Sequence, residues 1–303
     1  MLSQRVVRRR GVTLIELIVA MVVGGVALAL IASISVRQQR LYADLADRAA
    51  LASQLRQAST VLPIELRGAS SAGGDIREAR DTAIELRASI ASAVVCDTAT
   101  GSIVLAPATA GSTAFAGYLA AIAIGDTAWV LTPGDSIDAW LPYSVSSSTT
   151  TTPGSCASLG PRLTVAARAS ARVLIRLTAA PPLATLIGTV VRVTRPVRYS
   201  FYRGGDGPWY LGQRDWNVTS LRFNTIQPVS GPFVSASAHG LVFQFSDSAG
   251  TLLPSPVGDR RSIALIGIDV RVQSRSAMRA FASGAQGRSS DSLHLAIALR
   301  NRR

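Results

Sequence analysis

The chain has 303 residues and a mass of 31.7 kDa, and 31 basic side chains against 18 acidic ones leave a net charge of +13. With 48% of residues apolar and 16% charged, the composition excludes a disordered tail, and the length allows one or two domains with a real core. Every basic residue is arginine, which fits either planar, bidentate anion recognition or GC-rich coding; the second also accounts for the abundant alanine and is the simpler reading.

The first predicted element is a membrane helix. Residues 1–11 hold Arg5, Arg8, Arg9 and Arg10 and no acid, whereas residues 12–36 carry a single charge, Glu16. At about 1.5 Å rise per residue this apolar run spans roughly 37 Å, enough to cross a hydrocarbon core of about 30 Å. The preceding arginines keep residues 1–11 in the cytoplasm and send everything after Val36 out of it. A cleaved secretory signal and a plain anchor compete as explanations. A secretory apolar region is shorter, about 7–15 residues, and carries no acid. A carboxylate at the bilayer centre costs about 2.5–3.5 kcal/mol, so Glu16 needs a reason to be there.

The run Arg9-Arg10-Gly11-Val12-Thr13-Leu14-Ile15-Glu16-Leu17 resembles the processing site of type IV pilins and the pseudopilins of type II secretion. The resemblance implies that prepilin peptidase cuts after Gly11, that Val12 becomes the N-methylated new N-terminus, and that Glu16 is the glutamate at the fifth mature position. Val12 departs from the phenylalanine usual there. In the family, a neighbouring subunit's glutamate neutralises the new amine, so that two charges costly in hydrocarbon pair and set the register of assembly. Gly25, Ala29 and Ser33, four apart, form a small-residue stripe that would let another helix approach, although the chain's general alanine and glycine content explains it equally well.

Residues 37–62 form an amphipathic continuation of the helix, with Leu41, Leu45, Ala49, Ala52, Leu55, Ser59 and Leu62 recurring every three or four positions, and Pro63 ends it. Residues 63–303 form an extracytoplasmic β-rich head. In it the spacing predicts a hairpin joining Ala128–Leu131 to Asp138–Leu141, strands over 191–203 and 241–246 with a turn at 204–207, and alternating strands at Ile266-Ile268-Val270-Val272 and Leu293-Leu295-Ile297-Leu299. Ser/Thr-rich residues 144–155 read as a flexible loop. The predicted fold class is α+β: a long N-terminal helix packed on an antiparallel sheet, as in pilins.

Cys96 and Cys156, the only cysteines, read as a disulfide in an oxidising compartment rather than a metal or redox site. No HExxH, GxSxG, Walker or EF-hand pattern is present, and no catalytic group, metal or cofactor is expected. His239 reads as a loop residue and His294 as solvent-facing. Asp206 in its glycine-rich turn suits turn chemistry better than calcium, and the sequon at Asn217 carries little weight. Residues 88–161 hold no arginine and four acids, whereas residues 162–303 hold nineteen arginines and six acids. For Arg172, Arg176, Arg192, Arg198, Arg260, Arg261, Arg271, Arg275 and Arg279 the readings are solvated faces, a docking surface for an acidic subunit, or binding of DNA, with Tyr199, Phe201, Tyr202 and Trp209 nearby.

The resemblance extends loosely to the J-type pseudopilins and W-type minor pilins, through the length, Val242-Phe243-Gln244-Phe245 before Asp247, and the closing Leu299-Arg300-Asn301. It implies a minor subunit of an inner-membrane secretion or pilus filament, partnered by prepilin peptidase, other pilins or pseudopilins, the assembly platform and lipid, with nucleic acid not favoured. A DNA-uptake or adhesive minor pilin and a membrane-anchored binding protein outside any filament are the alternatives.

Overall fold

A computed structural model describes residues 13–99, 101–107, 116–132, 139–151, 156, 169–181, 187–274, 278–279 and 286–299. The chain divides into two compact units, Met1–Ala52 with Ser274–Ser289, and Ser53–Gln273 with Ser290–Arg303. The first contains most of helix α1 (Leu14–Arg67) and a short pair, β14 (Met278–Arg279) with β15 (Gln286–Gly287).

The second unit holds the rest of α1, whose Leu55, Ala58, Leu62 and Leu66 are buried at the three- and four-residue spacing of one helical face. The predicted stop at Pro63 is corrected: α1 runs on to Arg67 with Pro63 inside it. An interior proline costs about 3 kcal/mol. Burying a leucine returns roughly 1.5–3 kcal/mol, and Leu62 and Leu66, both 0% exposed, flank the proline. The Ser230 hydroxyl donates to the Gln54 carbonyl at 3.0 Å, which ties this stretch to the sheet.

The sheet is antiparallel throughout. Its strands are β1 (Ile76–Arg80), β2 (Ala83–Ala99), β3 (Ser102–Leu105), β4 (Ala116–Tyr118), β5 (Thr127–Thr132), β6 (Ala139–Thr151), β7 (Arg172–Leu177), β8 (Val190–Arg203), β9 (Trp209–Asn217), β10 (Arg222–Phe223) and β11 (Gln227–Phe233). A separate three-stranded sheet comprises β12 (Leu241–Ser246), β13 (Leu265–Gln273) and β16 (Ser290–Ala298). The α+β fold class read from the sequence is thus the observed one, and the strands over 191–203, 241–246 and 266–272 lie where the period-two pattern puts them.

β2 also pairs with β8 along most of its length, so the order β2-β3-β7-β6-β5-β8 returns to β2 and closes a six-stranded ring. Ala93, Val95, Ile103, Leu105, Ala128, Val130, Val145, Ile175, Val191 and Val193 from these strands share one core cluster. Ring closure leaves these strands no free edge. The predicted loop 144–155 is corrected in its first part: Ser144–Thr151 is the second half of β6, pairing with β5 at Ser144 and with β7 from Val145 to Thr151. β-branched threonine fits a pleated surface, and strands on both sides satisfy the backbone, so low complexity does not imply a loop here. The hairpin predicted around 128–141 is present, with Leu131 opposite Trp140 and Thr132 opposite Ala139, while its turn and Asp138 lie outside the described residues.

Candidate functional site

Gly11 and Val12, the predicted processing residues, lie outside the described residues. The segment that follows starts α1 with a capping box. The Thr13 backbone N–H donates to Glu16 Oε2 at 2.9 Å, the Thr13 hydroxyl donates to the same oxygen at 3.1 Å, and the Glu16 N–H donates to Thr13 Oγ1 at 3.3 Å. Thr-x-x-Glu immediately before an apolar run is the sequence signature of this device, so Thr13 was legible and was missed. Glu16 therefore has a local partner in the single chain: it satisfies two donors at the start of a helix whose large apolar residues from Leu14 to Val36 are exposed. The stretch is long and apolar enough to cross a membrane. Nothing lies within 4 Å of where a side chain would start at Gly25, and the Ser33 hydroxyl donates to the Leu30 carbonyl at 2.8 Å.

The two cysteines meet. Cys96 on β2 and Cys156 are joined as a disulfide with Cα atoms 4.6 Å apart, packed with Val104 outside the ring core. Arg172, 2% exposed, donates from Nε to Cys156 Sγ at 2.9 Å and from a terminal nitrogen to the Ser170 carbonyl at 3.1 Å. Non-reducing and reducing gels of the membrane-extracted chain are expected to show different mobilities. Cys96→Ser should remove the difference and lower stability by about 4 kcal/mol, the loop-entropy value for about sixty enclosed residues. Equal mobilities with two free thiols by mass would exclude the bond.

Part of the basic surface foreseen for anions is engaged within the molecule: Arg172, Arg192 and Arg198 hold internal partners, as does the neighbouring Arg195. Arg192 pairs with Asp75 at 2.8 Å, Arg195 with Asp126 at 2.7 Å, and Arg198 with Glu78 at 3.1 Å. Asp126 is fully buried; it also accepts from the Ala123 N–H at 2.8 Å, while Arg195 donates to the Ala121 carbonyl at 2.9 Å. Sequence inspection missed this pair because its members stand 69 residues apart. The hydrogen bond to Asp126 holds the Arg195 guanidinium above its ordinary range. Burial, with Asp215 nearby, pushes the Glu65 carboxyl up. Tyr199 and Phe201 are buried in the core and unable to stack on bases. Arg176, Arg260, Arg261 and Arg271 are exposed; Arg275 lies outside the described residues, and the Arg279 side chain is likewise not described.

His239 occupies the turn before β12, and His294 is exposed and 2.7 Å from Asp269. Asp206 accepts from the Tyr210 hydroxyl at 2.7 Å, and Asn217 closes its own turn by accepting from the Thr219 and Ser220 N–H groups. Among the described residues, no cluster of three or more acidic, histidine or cysteine side chains could hold a metal.

Residues 7–32 match the prokaryotic N-terminal methylation motif. No curated protein and no solved structure matches the chain. The motif implies processing by a peptidase and assembly with other pilins, and it points to a structural rather than a catalytic role. With that motif, a single long apolar helix from Leu14 and an antiparallel β-sheet body, the chain fits a type IV pilin-like protein anchored in the inner membrane.

Proposed function

We propose that the chain is a minor pseudopilin or minor pilin, a structural subunit that primes or caps a type II secretion pseudopilus or type IV pilus. The observation that carries this reading is the methylation motif running straight into a capped helix whose apolar stretch, residues 12–36, has one acid, Glu16, in the first turn. On this reading prepilin peptidase cuts after Gly11 and Val12 carries the methylated amine, which the Glu16 carboxylate of an adjacent subunit neutralises in the filament. Residues 1–11 are cytoplasmic, the β-rich head is extracytoplasmic, and the neighbours are other minor and major subunits and the inner-membrane platform. Length and the Val242–Phe245 strand support the J-type or W-type group. DNA or another anionic polymer is a weaker reading, since Arg172, Arg192, Arg195 and Arg198 hold internal partners.

The test is the mass of the chain recovered from membranes. Wild type is expected to lack residues 1–11 and carry one added methyl group, and Gly11→Trp to keep its full length. An unprocessed wild-type chain, or one cut elsewhere, would overturn the reading.

A further inference from the structure

We propose that the outer edge of β16 is a strand-addition site that takes an extended segment, apolar at alternate residues, from a neighbouring filament subunit; this rests on the filament reading above. β16 pairs with β13 over nine positions, Ser290 opposite Gln273 through Ala298 opposite Leu265, without a register shift. The Leu299 N–H donates to the Ala264 carbonyl at 3.1 Å and the Ser274 N–H to the Ser289 carbonyl at 2.8 Å. Both contacts lie in the same register, and antiparallel ladders alternate bonded with non-bonded pairs. The odd residues Asp291, Leu293, Leu295 and Ile297 therefore turn their backbone groups to β13. The even residues Ser290, Ser292, His294, Ala296 and Ala298 turn theirs outward. Of those outward groups, the Ser292 N–H donates locally to Asp291 Oδ1 at 2.8 Å; among the described residues no backbone partner from another strand reaches any of them.

The other side of this sheet is closed. The Phe243 N–H on β12 donates to the Asp81 carbonyl at 2.7 Å, and the Leu253 N–H donates to the Phe245 carbonyl at 2.8 Å. β16 also carries few of the devices that blunt an edge: it contains no proline, lysine or arginine, its register has no bulge, and its one acid, Asp291, stands near its start.

The side chains specify the occupant. Ile268 and Val270 on β13 are 0% exposed, yet their partners Leu295 and Leu293 on β16 are only half-buried. The apolar layer runs out at the last strand. A further strand would satisfy the outward N–H and C=O groups and, with an apolar residue at every second position, cover both leucines. With no arginine and a single acid in β16, this edge offers nothing to an anionic polymer.

The test places a photo-cross-linking residue at Ser292 of the full chain in membranes of its native host. The expected adduct maps to an extended segment of another protein that carries its own N-terminal methylation motif. Ala296→Pro deletes an outward N–H but no bond to β13, a position where an edge strand tolerates proline. It should cut the adduct at least tenfold while chain level and unfolding midpoint hold; Ala298→Pro supplies the same test at a second site, and Ala296→Ser should keep the adduct. Absence of an adduct, an adduct to lipid or to a second copy, or one indifferent to both prolines, overturns the proposal. If Glu16→Leu still blocks assembly, that failure belongs to the edge alone. If Glu16→Leu is also without effect, the filament reading fails with it.

Discussion

Replacing Glu16 by leucine is expected to abolish incorporation of the chain into a filament while leaving cleavage and membrane insertion intact. The substitution removes a carboxylate that costs about 2.5–3.5 kcal/mol at the centre of a bilayer, so insertion by itself should not suffer. It also removes the acceptor of the Thr13 N–H, a capping loss of roughly 0.5–2 kcal/mol. That loss is local, because α1 runs for 54 residues. Glu16→Gln separates the two roles. A glutamine reproduces the capping box but carries no charge to meet an amine. Assembly lost in both variants assigns the function to the charge between subunits, whereas assembly rescued by glutamine assigns it to the cap. The readout is the fraction of the chain recovered in sheared or cross-linked filaments, normalised to the processed chain in membranes. Wild-type assembly of Glu16→Leu would leave a simple anchor as the better description.

The second large effect concerns the head. Asp126→Ala is expected to destabilise it by about 1–3 kcal/mol, the cost of leaving buried donors without their acceptor, since the Arg195 that remains keeps part of its side chain in solvent. Asp126 is fully buried and accepts from two nitrogens of Arg195, both at 2.7 Å, and from the Ala123 N–H at 2.8 Å. Removing it strands three donors at the seam where β5 joins β8 in the ring. Urea unfolding of the purified full chain in detergent measures the loss. Asp126→Ala with Arg195→Met should recover part of it, since an apolar replacement no longer needs a charged partner. A loss below about 1 kcal/mol would show that the ring is held by its apolar core without this pair.

Much of the chain was legible because residue type alone decides it. A long uncharged run can satisfy its backbone in lipid only as a helix, and an acid one turn inside it has few explanations. β13 and β16 were readable because one face is core and the other solvent, which writes period two into Ile266 to Val272 and Leu293 to Leu299. The stop at Pro63 was misread because the rule for proline is local, while the burial of Leu66 that overrides it is not. Ser144 to Thr151 was misread because composition carries no record of which strands lie on either side.

By itself, then, the sequence determined a helix long and apolar enough to cross a membrane, the N-terminal methylation motif, the acid at Glu16 and the class of the head, all of which follow from short-range patterns of charge, hydropathy and spacing. Only the tertiary structure decided that six strands close into a ring, that Asp126 meets Arg195, and that β16 stands last in its sheet among the described residues. Each of these joins residues separated by tens of residues or more, and their pairing depends on packing the whole core at once rather than on any local preference.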